Sequence, residues 1–217
     1  MKEPVEKWES GIYYLPPIHH CCGNDDMRQA MNYVHIKNRR AFATDAYALV
    51  HFDIAQVFSE ETCIKLEGKL IHKNTWRALC TMASKFKVTG LMMAVDGDTI
   101  LAKDFDFQGY RAFEMKTEGL DNLKFPKCTE AWNSVIETAV EKIEQFMFGI
   151  NPAVLGKIEK AIDPQGGLVM CPVRPKNGVL IVGNPQRKDD MVIYALAMPT
   201  ILSGLEDSVK TFSTLPL

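Results

Sequence analysis

The sequence predicts an α+β fold built from repeated β-α-β-β-β units with antiparallel sheets. Three observations carry this reading. Short segments rich in β-branched and aromatic residues, several of them alternating with a period of two, are interleaved with longer segments whose apolar residues return every three or four positions. The connections between them are marked by Gly, Asn, Asp and Pro. The same order of elements then occurs twice, over Lys69 to Lys116 and over Glu144 to Pro199.

"NYVHIK" (32–37) alternates and reads as a strand. Asn38-Arg39 makes a tight connection and "RAFAT" returns antiparallel. After Thr44-Asp45, "YALVHFDI" is a third strand and "KLIH" a fourth, short one. The first unit, Ile12 to Ile54, is irregular, and its helix is expected in "DDMRQAM". In "KNTWRALCTMASKF", Trp76, Leu79, Cys80, Ala83 and Phe86 define a buried helix face, with Lys73, Arg77, Thr81 and Lys85 on another. Three strands follow: "VTGLMMAV", "TILAKDF" and "YRAFEMK". A boundary falls near "EGLDNLKFPK". The reading is therefore residues 1–125 as one domain of two units, and 126–217 as a linker, a partial domain with one unit, and a tail. "TEAWNSVIETAVEKI" is helical and "QFMFGI" strand-like. Asn151-Pro152 supplies an N-cap and a first-turn proline for "AVLGKIEKAI", which Asp163-Pro164 stops. "GLVMCPV", "GVLIVGN" and "MVIYALAMP" are the closing strands.

At 217 residues the chain suits one large domain or two small ones. A formal net charge of −2 argues against wholesale coating of nucleic acid but leaves room for a local basic surface. No apolar run is long enough to span a bilayer and "MKEPVEKWES" has no signal-peptide core, so no membrane contact and a cytoplasmic location are expected. Of the six cysteines, Cys63, Cys80, Cys128 and Cys171 are scattered singly and read as reduced core residues, while Cys21 and Cys22 are adjacent and cannot easily bridge each other. "PIHHCCGNDD" holds four metal-competent side chains, but adjacent ligands diverge and no second pair with zinc-site spacing follows, so it reads as a turn. Without a P-loop, a Gly-x-Ser-x-Gly, paired carboxylates or a metal quartet, no enzyme, cofactor or catalytic residue is expected.

Four motifs resemble those of bacterial DNA sliding clamps, the β-subunit processivity factors of the replicative polymerase. "AFATDAYALV" resembles that family's "ATDGHRLA", and "FPKCTEAWNSVI" its "FPDY…VIP" linker. "FGINPAVLGKIEKAI" resembles "FNPKYLLDALKAL", and "MVIYALAMP" resembles "YLVMPMRL". They stand in the family's order, from about Arg28 to Pro199. The resemblance implies a DNA-clamp (processivity-factor) fold, reduced to about one and a half domains. It also implies a shallow apolar pocket for peptides of polymerase or repair proteins. By motif its residues here are Thr44, Tyr47, Leu49, Pro126, Val135, Leu196, Met198 and Pro199, with Asp45 holding the turn through backbone amides. The family's Gly-His-Arg stands as Ala46-Tyr47-Ala48, and the linker's last Pro as Glu137.

The resemblance further implies sequence-independent contact with duplex DNA phosphates. The residues for it are Lys73, Arg77, Lys85 and Lys87 around one helix and Lys157 and Lys160 on another, with Arg28 a weaker third point. Closing a ring from one and a half domains calls for a homo-oligomer, in the simplest case a two-fold dimer. The ending "LPL" resembles clamp-binding peptides, against the plainer reading of a frayed terminus. The leading function is a clamp-like tether in replication or repair. The alternative is a clamp-fold adaptor that binds protein and never encircles DNA.

Overall fold

The computed structural model describes the backbone of residues 8–85, 90–104, 109–139, 150–162, 169–172, 179–183 and 191–198. Side chains are described for these except at positions 104, 134–139, 169, 171 and 172. Twelve strands and four α-helices occur among the described residues. In chain order they are β1 (Glu9–Ile12), β2 (Tyr33–Lys37), β3 (Arg40–Thr44), β4 (Ala48–Asp53), α1 (Glu60–Leu66), β5 (Lys69–His72), α2 (Lys73–Lys85), β6 (Leu91–Asp96), β7 (Thr99–Asp104) and β8 (Arg111–Glu114). Then come β9 (Lys116–Thr117), α3 (Cys128–Ala139), α4 (Pro152–Ile162), β10 (Val169–Pro172), β11 (Val179–Gly183) and β12 (Ile193–Ala197).

The strands form two antiparallel sheets, one ordered β1-β6-β7-β8 and one ordered β10-β11-β12-β4-β3-β2-β5-β9. The junction β12-β4 makes the eight-stranded sheet continuous across residue 125, pairing Leu196 with Leu49 and Ala197 with Ala48. The chain crosses between the sheets at Met115, which is buried and donates its N–H to Asp98 O at 2.8 Å. This is why "YRAFEMK" is two short strands rather than one: β8 pairs with β7, and β9 pairs with β5.

Alternation divides the large sheet's side chains between two cores. Val34, Ile36, Ala41, Ala43, Val50, Phe52, Ile71, Ile181, Ile193 and Ala195 join the main core, with Trp76, Leu79 and Ala83 of α2 and Val154, Ile158 and Ala161 of α4. Trp76 Nε1 donates to Pro16 O at 2.8 Å, so the buried indole keeps its hydrogen bond. On the opposite face Phe42, Leu49, Leu70 and Leu196 pack under Leu123, Phe125, Cys128 and Trp132.

The Asn38-Arg39 hairpin has φ of 51° and 61°, the left-handed pair that two-residue hairpins require. Asn151 caps α4 by accepting the Ala153 N–H at 2.9 Å. The first unit departs from expectation. "DDMRQAM" contributes only a 3-10 turn, Gln29–Asn32, and the helix is α1, after the third strand. Ser59 caps it by accepting the Thr62 N–H, and Glu60 and Glu61 sit in its first turn. With seven residues it is too short to display a periodicity. Strand β1 was also not expected, because "ESGI" carries no β pattern. It is held by pairing to β6 and by a close pass at Gly90 (φ 71°), where a Cβ would meet Gly11 Cα at 2.8 Å. "QFMFGI" up to Gly149 lies outside the described residues.

Candidate functional site

The β3–β4 connection is organised by its own side chains. Asp45 is buried, and its Oδ1 accepts the N–H of Tyr47 at 3.0 Å and of Ala48 at 2.8 Å. Thr44 Oγ1 donates to Ala48 O at 2.8 Å and accepts the Ala46 N–H at 3.1 Å. These bonds hold Ala46 at φ 76°, a conformation glycine would adopt freely. The second carboxylate oxygen of Asp45 binds Lys157 Nζ on α4, 112 positions away. The turn is thereby fastened to the helix layer.

From this turn the clamp-motif residues follow. Leu49 and Leu196 face each other across β4 and β12, and the Met198 N–H donates to Tyr47 O at 2.8 Å. Thr44, Leu49 and Leu196 are buried, whereas Tyr47 is 63% and Met198 41% exposed. Pro126 is half-buried on the linker, whose Phe125 and Trp132 cover the two leucines. Val135 lies on α3 by its backbone, and Pro199 lies outside the described residues. Strand pairing therefore joins the 44–49 segment to 196–198. The linker caps the leucines, and the rim of Tyr47 and Met198 is left open.

His51 lies beside them, 2% exposed, with neither ring nitrogen hydrogen-bonded. Its ring meets Phe42 at 5.3 Å, Tyr194 at 5.4 Å and, edge-on, Trp132 at 4.3 Å. Burial, with Arg40 adding to it, pushes its pKa down to about 3, so it is a neutral core imidazole near pH 7.

The helical face carries the cations. Lys73 is half-buried and donates to Gly23 O at 2.6 Å and Asn24 Oδ1 at 2.5 Å, tying α2 to the 23–32 loop. Lys157 is held by Asp45. Arg77, Lys85 and Lys160 are exposed, and no acidic partner holds them among the described residues. Arg28 pairs with Asp25 at 2.6 Å, and Lys87 lies outside the described residues. A 3-10 turn, Ile18–Cys21, packs between α2 and α4. It places His20 within the field of Lys160 and Arg77, and His19 beside His20 and Arg77. Burial and these charges lower both pKa values, His19 to about 4. Cys21 and Cys22 are buried, and burial raises both thiols, Cys22 to about 12, so neither is a ready nucleophile. Among the described residues no group of three or more His, Cys, Asp or Glu side chains is placed to hold a metal ion.

The cationic face continues from Arg77 and Lys85 onto Lys103 and Arg111, two residues that the sequence pattern does not single out. A cavity of about 510 Å³ between α2 and the β7–β8 edge is lined by Arg77, Lys85, Lys103 and Arg111, with Tyr110 at its mouth. Helical spacing links Arg77 with Lys85, but Lys103, Tyr110 and Arg111 join them only when helix and sheet pack.

No protein-family model matches the chain, and no curated protein matches its sequence. Solved structures do. The chain superposes on a DnaN sliding clamp (DNA polymerase III subunit beta) from Bartonella birtlesii, bound to griselimycin, with a TM-score of 0.60 at 12% identity. That match covers 93% of this chain and 68% of that one. A DNA polymerase sliding clamp from Pseudomonas aeruginosa gives a TM-score of 0.58 at 13% identity, again over 93% and 68% of the two chains. The beta subunit of DNA polymerase III from Thermotoga maritima gives 0.57 at 12% identity, over 94% and 68%. The fold is that of the bacterial sliding clamps. At such identities the likeness establishes architecture, and this chain spans about two thirds of each clamp's length. Among the described residues no helix is long and apolar enough to cross a membrane.

Proposed function

We propose that the chain is a clamp-like, non-enzymatic protein of DNA replication or repair, located in the cytoplasm, that tethers partner proteins on DNA. Tethering acts by raising a partner's effective concentration rather than by chemistry. The observation that carries the reading is the sliding-clamp architecture over 93% of the chain, arranged so that β4 and β12 bring the two clamp-motif segments side by side.

In this reading residues 1–125 act as one clamp-like domain and 126–217 as linker, partial domain and tail, and a homo-oligomer closes the ring. Duplex DNA meets Arg77, Lys85 and Lys160 first, all through phosphates. Lys73 and Lys157 stand on the same two helices, and Lys87 is proposed to add to the contact. Peptides of polymerase or repair proteins engage the surface of Thr44, Tyr47, Leu49, Pro126, Val135, Leu196, Met198 and Pro199. Tyr47 and Met198 offer the first contact, because they are exposed. A guest that reaches Leu49 and Leu196 must displace Phe125 and Trp132.

A protein-binding adaptor that never encircles DNA is the second reading. It draws support from Lys73 and Lys157, whose charges are committed to internal partners. The experiment that separates the two measures particle size with closed circular duplex DNA, then again after one cut. A tether that encircles DNA stays on the circle and is lost from the linear form. Equal retention on both forms, or none on either, refutes encirclement.

A further inference from the structure

We propose that the cavity between α2 and the β7–β8 edge binds a single nucleic-acid strand, its phosphates held by Arg77, Lys85, Lys103 and Arg111 and a base stacked on Tyr110. This goes beyond duplex tethering and does not require a closed ring.

Charge is the first argument. The four cations come from both walls, and no described residue lining the cavity is acidic. Several cations elsewhere on the protein find carboxylates: Lys37 with Glu118, Arg39 with Glu60, Lys65 with Glu61, and Lys69 with Asp98. None of the four cavity cations has such a partner among the described residues. The protein has 27 acidic against 25 basic residues, so four cations with no carboxylate partner among the described residues around one hollow are a local departure from its average. Like charges gathered this way repel until an anion enters.

Aromatic geometry is the second argument. Tyr110 is 59% exposed and stands 6.3 Å, centroid to centroid, from Trp8. Lys103 Nζ sits 4.4 Å from the centre of the Trp8 ring, which braces that ammonium by cation–π attraction. Met82 and Ala102 are buried and supply an apolar floor beneath. An exposed ring among clustered cations is the combination that binds single strands: phosphates follow the charges and unpaired bases stack on the ring. A duplex keeps its bases stacked on one another and would leave Tyr110 unused. The cavity volume, about 510 Å³, falls in the range of small-ligand pockets.

The test uses the full chain and a fluorescein-labelled oligothymidylate of roughly a dozen nucleotides, a length suited to such grooves. Anisotropy at low salt reads the affinity, with inorganic polyphosphate and free thymidine monophosphate as competitors. Tyr110→Ala is expected to weaken binding roughly tenfold, while Tyr110→Phe keeps most of it. Arg111→Gln and Lys103→Gln should each weaken binding and flatten its dependence on log salt by about 0.7. Unchanged affinity in Tyr110→Ala, or equal displacement of wild type and Tyr110→Ala by polyphosphate, overturns the proposal in favour of a bare anion site. Retention on circular duplex is a separate readout, which Tyr110→Ala should leave unaltered. Loss of circle retention with intact oligonucleotide binding refutes the ring and not this site.

Discussion

Replacing Asp45 with alanine probes how an ordinary L-residue is kept in the left-handed region at Ala46. Two backbone N–H groups lose a charged acceptor. Ala48 is 1% exposed, so its N–H is left buried and unpaired, at a cost of about 2 kcal/mol. Tyr47 is exposed and water replaces most of its bond, leaving a cost of about 0.5–1 kcal/mol. The pair with Lys157 adds little, because that side chain is 43% exposed and screened, about 0.5 kcal/mol. The expected total for Asp45→Ala is about 3 kcal/mol. Asp45→Asn retains an acceptor oxygen and should cost about 1 kcal/mol. Urea unfolding followed by fluorescence of the buried Trp76 and Trp132 measures both. A loss below about 1 kcal/mol in Asp45→Ala would refute the reasoning. Equal losses in the two variants would mean that the ion pair, not the backbone bonds, holds the turn.

His51 predicts a pH effect. Its folded pKa of about 3 lies below the unfolded value near 6.5, so the unfolded chain binds the extra proton between those values. Its contribution to stability is therefore complete above pH 6.5 and declines as pH falls toward 3. The loss amounts to about 2 kcal/mol between pH 7 and pH 5. His51→Phe should remove that part of the acid sensitivity in urea titrations at the two pH values. Gly90→Ala is expected to cost more than about 2 kcal/mol, because its Cβ would meet Gly11 Cα at 2.8 Å and its φ is 71°. Gly68→Ala, at φ 74° with open space around it, should cost only about 1 kcal/mol, read as the difference in thermal midpoint. Ala46→Gly, at φ 76°, should raise the midpoint by relieving about 1 kcal/mol of strain. Trp132→Ala removes the cover over Leu49 and Leu196 and should cost about 3–4 kcal/mol, with a rise in binding of a hydrophobic dye.

At several places the chemistry is local and the sequence by itself determined the outcome, although the short Ser59-capped helix α1 escaped it. Residues 38–39 turn the hairpin, Asn151 caps α4, and the three-four spacing of Trp76, Leu79 and Ala83 selects the buried side of α2. Asp45 could likewise be read as a turn-holder, because a short carboxylate reaches amides two and three residues ahead. The resemblance in four ordered motifs was enough to anticipate the clamp architecture. Tertiary structure decided the rest. Only packing shows β12 beside β4, Phe125 and Trp132 closed over two leucines, and Lys157 spent on Asp45. Only packing gathers Arg77, Lys103 and Arg111 around one hollow. The reason is physical: propensity, capping and turn chemistry act over a few residues. Strand partners and the fate of a long charged side chain depend on what arrives from a hundred positions away.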